Sequence, residues 1–71
     1  MTVRSYAVTG MTCDHCVHAV REEIGMLAGV REVTVDLDAG GTSTVHVTSA
    51  QPLSDDDVVA ALDEAGDYRL A

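Results

Sequence analysis

The sequence predicts an α+β fold, a four-stranded antiparallel sheet with two helices on one face in the chain order β-α-β-β-α-β. Three patterns predict it. Several short stretches alternate apolar and polar residues with a period of two. Two longer stretches repeat apolar residues at helical spacing. A Gly-Gly turn joins two of the alternating stretches into a hairpin. Composition agrees, because the apolar residues include eleven Val and no Phe or Trp, and β-branched side chains suit a pleated surface.

Val3 to Thr9 alternates, with Tyr6 and Val8 on the core side and Ser5 and Ala7 on the other, and Gly10 ends this strand. After Met11-Thr12-Cys13-Asp14-His15-Cys16, the residues Val17, Val20, Ile24 and Leu27 recur at spacings of three, four and three, which is one face of a helix. Arg21, Glu22 and Glu23 fall largely on the other face. Gly25 and Gly29 sit near its end, and Gly29 is the expected terminator, as the left-handed residue after the last turn. Val33, Val35 and Leu37 alternate with Thr34 and Asp36 in a second strand, and Val45 and Val47 alternate with Thr44 and His46 in a third. Asp38-Ala39-Gly40-Gly41 turns between them with two residues free to adopt positive φ.

Pro52 breaks the chain before the second helix. Ser54 supplies its N-cap, and Asp55, Asp56 and Asp57 place carboxylates at the positive end of the helix dipole. Ser54 with Asp57 resembles a capping box. The acidic run is read as a solvated helix start, since Ca²⁺ needs six or more oxygens from a spaced loop. Val58, Ala61, Leu62 and Ala65 form the buried stripe, and Gly66 closes the helix. Tyr68 to Leu70 can form a short last strand. With right-handed crossovers this order gives the ferredoxin-like arrangement, with residues 1–71 as one domain.

At 71 residues the chain is too short to wall a deep catalytic cleft, so a binding or carrier module is expected rather than an enzyme. Apolar residues make up 46% of it, which argues against disorder. Twelve Asp and Glu stand against four Arg and no Lys, for a formal charge of −8. That charge repels nucleic acid and anionic lipid. The complementary partner is a basic or neutral protein surface, unless the acidity serves solubility alone. No apolar run reaches the length of a signal-peptide core or the ~20 residues of a membrane span. A cytoplasmic protein without membrane insertion is therefore expected, and one that is free-standing rather than excised from a larger transporter.

Cys13 and Cys16, the only two cysteines, are too few and too close to be a disulfide framework. In a reducing compartment they are a site. With the second Cys in the opening helical turn the sulfurs come together, and a helix N-terminus favours thiolate over thiol. Two thiolates suit a soft ion that accepts two ligands, and Cu(I) fits best. Zn²⁺ prefers four ligands, to which His15 and His18 could contribute. Thiol-disulfide exchange is the other chemistry of this spacing, but a thioredoxin fold needs a longer chain.

Gly10-Met11-Thr12-Cys13-Asp14-His15-Cys16 resembles the metal-binding signature of the heavy-metal-associated domain family, and is especially similar to its bacterial copper chaperones. The resemblance covers essentially the whole chain. It implies that Cys13 and Cys16 bind Cu(I) as a near-linear dithiolate and pass it to the metal-binding domain of a copper-transporting P-type ATPase. It implies further that Met11 packs under the loop as an anchor and that Thr12 marks a copper rather than a zinc or cadmium relative. By the same resemblance His15 tunes site electronics, thiol acidity and self-association; its other reading is a solvent-exposed loop residue. The apo form is expected to be monomeric, with a copper-bridged dimer open to the loaded form. The chain departs from the bacterial pattern after Gly66, where Asp67 intervenes before Tyr68. Either residue could then face the metal loop.

Overall fold

The computed structural model describes all 71 residues. The elements run β1 (Thr2–Thr9), α1 (Asp14–Gly25), β2 (Val30–Asp36), β3 (Thr42–Ser49), α2 (Asp55–Ala65) and β4 (Arg69–Leu70). The strands form one sheet in the order β2-β3-β1-β4, and every neighbouring pair is antiparallel. This is the ferredoxin-like topology expected from the alternation of periods.

The core lies between the sheet and the two helices. Tyr6 and Val8 of β1, Val33 of β2, Val45 and Val47 of β3, Val20 and Ile24 of α1, and Val58, Ala61 and Leu62 of α2 are buried in one cluster. Met11 and Leu53, from the connecting loops, complete it. Two buried hydroxyls share the inward face of β3. Ser43 accepts from the Asp38 amide at 2.9 Å, and Ser49 donates to the Gln51 carbonyl at 2.6 Å. Both keep the inward parity of Val45 and Val47.

Three local expectations need correction. Helix α1 ends at Gly25, with Met26 as its cap, and not at Gly29. Leu27 packs against the core from the turn beyond the helix, so the apolar period outran the helix itself. Gly29 does adopt a positive φ of 84°, but in the loop entering β2, where its carbonyl accepts from Ala50 at 2.8 Å. Leu37 lies past the end of β2 and is 37% exposed. In the hairpin turn only Gly40 has a positive φ; Gly41 instead donates its amide to the Asp38 carbonyl.

Ser54 caps α2 as expected, its hydroxyl accepting from the Asp57 amide at 3.1 Å. Ser54→Ala is expected to cost about 1 kcal/mol, read as a lowered urea midpoint with an unchanged slope.

Candidate metal centre

The site is built where β1 gives way to α1. Met11 anchors the connecting loop from below, being only 1% exposed within the core cluster. Cys13 takes the N-cap position in extended conformation, and its carbonyl starts the helix by accepting from the amides of Cys16 and Val17. Cys16 therefore lies in the first helical turn. The two sulfurs stand 4.0 Å apart, both cysteines are free thiols, and Cys13 is exposed while Cys16 is half-buried. No third His, Cys, Asp or Glu joins them in a cluster able to hold a metal. His15, in the same turn, is exposed. His18 lines a groove with Arg21 and Arg31 between α1 and β2.

Tyr68, not Asp67, faces the loop. Its hydroxyl lies close enough to the Cys16 sulfur to favour the thiolate there. Two close approaches bring it there. A Cβ on Gly10 would lie 2.9 Å from the Asp67 carbonyl oxygen, and one on Gly66 would lie 3.0 Å from the Tyr68 ring. Side chains at either glycine would push the Asp67-Tyr68 segment away from the loop.

These neighbours act on Cys16. Its pKa falls from 9.0 to about 6, chiefly through the Thr12 backbone amide, then the Tyr68 hydroxyl, then the Cys13 amide. The Thr12 hydroxyl, 3.8 Å from the sulfur, adds to this, and burial opposes it. Loop amides, that of the N-cap residue Cys13 among them, and a distant tyrosine thus stabilise this thiolate. The amides were illegible beforehand, because main-chain donors carry no residue signature. Tyr68 shows the reciprocal effect. It is pushed up to about 12, first by the Cys16 sulfur close to its hydroxyl, then by burial and by the negative charges of Cys16, Cys13 and Asp67.

A pH dependence follows. The folded chain keeps the Cys16 thiolate down to about 6, while the unfolded thiol takes up its proton below 9.0. Between those values the unfolded state binds more protons, so the stabilisation is complete above 9.0 and is lost as pH falls through about 6. Tyr68→Phe removes one donor and is expected to move the thiolate absorbance midpoint of Cys16 upward. An unmoved midpoint would show that the hydroxyl does not act on the sulfur.

A family model described as "Heavy-metal-associated domain" matches residues 5–67. The chain belongs to the heavy-metal-associated domain family. Among its relatives, copper chaperone CopZ of Bacillus subtilis (strain 168) is 36% identical over 66 residues, covering 93% of each chain. Copper-transporting ATPase 2 of Homo sapiens is 38% identical over 60 residues, 84% of this chain, but the match spans only 4% of the ATPase. A solved structure of a CopZ metallochaperone shares the fold with a TM-score of 0.74 at 24% identity, covering 99% of this chain and 100% of that one. This heavy-metal-associated domain has no helix long and apolar enough to cross a membrane.

Proposed function

We propose that the protein is a cytoplasmic copper chaperone that holds Cu(I) between Cys13 and Cys16 and passes it to the metal-binding domain of a copper-transporting P-type ATPase. The observation that carries this reading is a pair of accessible thiol sulfurs 4.0 Å apart with no third metal-binding side chain grouped with them. A soft d¹⁰ ion accepts two thiolates; Zn²⁺ would lack half of its tetrahedral set. Relatives named for copper handling, one a chaperone and one a transporting ATPase, support the choice of cargo and of partner class.

Low coordination number is what makes transfer workable. Cys16 presents a thiolate near neutral pH, since its pKa is about 6. Cys13, the more exposed of the two, is the sulfur an incoming thiolate displaces first. Exchange through three-coordinate intermediates then moves the ion without releasing it to water. Met11 holds the loop, the Thr12 amide and hydroxyl and the Tyr68 hydroxyl support the Cys16 anion, and His15 is placed to modulate exchange from the exposed side of the turn. Residues 1–71 act as one unit in this account. The excess of carboxylates steers docking toward a partner of opposite charge and weakens that steering as salt rises.

The test mixes copper-loaded protein with the isolated metal-binding domain of a copper-transporting ATPase from the same source, separates the two, and measures copper on each. Transfer from the wild type, with Cys13→Ala unable to deliver, is the expected result. Normal delivery by Cys13→Ala would defeat the mechanism.

A further inference from the structure

The sheet face turned away from the helices carries a second constellation, unrelated to the cysteines. Ser5 on β1 pairs directly with His46 on β3, and Asp36 lies on the neighbouring strand β2, two residues beyond Thr34, the pairing partner of His46 there. Ser5 Oγ is 2.8 Å from His46 Nδ1, and His46 Nε2 is 3.0 Å from Asp36 Oδ2. The carboxylate accepts from Nε2–H, which leaves the Nδ1 lone pair to accept from the Ser5 hydroxyl. Hydroxyl, imidazole and carboxylate thus stand in the order that activates a serine nucleophile. The site is open to small molecules: the His46 side chain is 39% accessible, Asp36 82%, and Ser5 is exposed.

We propose that Ser5 is an acyl-accepting nucleophile toward activated esters, with His46 as its general base and Asp36 as the residue that positions the imidazole. Ser5 Oγ bonds to the ester carbonyl carbon while its proton passes to His46 Nδ1. The carbon–oxygen bond to the leaving group then breaks, and the departing phenolate takes the proton, giving O-acyl-Ser5 and the free phenol. Asp36 stabilises the imidazolium formed between these steps. Backbone amides of a strand lie in the plane of the sheet rather than toward its face. Donors lying in that plane stabilise the oxyanion of neither step, so acylation and hydrolysis are both slow and the reaction is read as O-acyl-Ser5. The face is a site of covalent modification rather than of rapid turnover.

The test treats the reduced protein with p-nitrophenyl acetate and locates acetyl groups by peptide mapping, which separates Ser5 from the competing nucleophiles Cys13, Cys16, His15, His18 and the N-terminus. Acetyl-Ser5 is expected in the folded wild type and absent from Ser5→Ala. His46→Gln should slow its formation about a hundredfold, the low end of what a positioned general base supplies. Asp36→Asn should slow it too, with Asp36→Glu restoring most of the rate. Because the three side chains lie on the open face, each variant can be checked for an unchanged circular dichroism spectrum. Acetylation confined to other residues would overturn the proposal. So would Ser5 acetylation at the same rate in His46→Gln or in urea-unfolded protein.

Discussion

Cys16→Ala is expected to abolish retention of Cu(I) against a competing chelator, with affinity falling at least about a thousandfold, or roughly 4 kcal/mol. The sulfurs are a pair 4.0 Å apart with no third metal-binding residue beside them, so losing either leaves a single protein ligand. Cys13→Ala should lose retention equally, yet differ in one readout. It keeps the Thr12 amide, the Tyr68 hydroxyl and its own backbone amide, the donors that lower the Cys16 pKa. Cys16 in that variant should still alkylate as a thiolate near neutral pH. Retention and alkylation rate, measured on the same samples, therefore separate metal binding from thiol activation. Chelator-resistant copper in either variant would mean that a ligand outside the pair holds the ion.

Gly10→Ala should be the most damaging change at a position that touches no metal. Gly10 has a φ of 96°, a conformation costly for any residue with a Cβ, and that Cβ would meet the Asp67 carbonyl oxygen at 2.9 Å. The obstacle is backbone, which cannot rotate aside. A loss of about 2–4 kcal/mol is expected, combining the strained dihedral with displacement of the Asp67-Tyr68 segment. As Tyr68 leaves Cys16, the thiolate midpoint should rise with the loss of stability. Urea unfolding and a thiolate titration check the two effects. A normal midpoint in a destabilised variant would uncouple the glycine from the site.

Much of this architecture could be read from residue order, because its determinants are local. The period of two in Tyr6 and Val8, or in Val45 and Val47, places side chains on the core face whatever the partner strand. Ser54 and Asp57 are close enough in sequence for the cap to be read directly. The end of α1 was not legible, since Leu27 satisfies the helical period while reaching the core from outside the helix. Ser43 and Ser49 follow the inward parity of Val45 and Val47, but the Asp38 amide and the Gln51 carbonyl that satisfy their hydroxyls cannot be read from alternation. The same division holds at the site. The Cys13–Cys16 spacing announces a metal or redox centre by itself. The choice of Tyr68 over Asp67 rests on how closely Gly10 and Gly66 let a distant segment approach. The Ser5–His46–Asp36 array needs three strands in register, and strand pairing is not written in any one of them.

The central claim is that two thiolates with open coordination positions select Cu(I). The most direct measurement offers the reduced apo protein equimolar Cu(I) and Zn²⁺ without oxygen and reads the bound metal by native mass spectrometry. One copper on each chain, with zinc left in solution, is the result predicted. Comparable occupancy by zinc would contradict it.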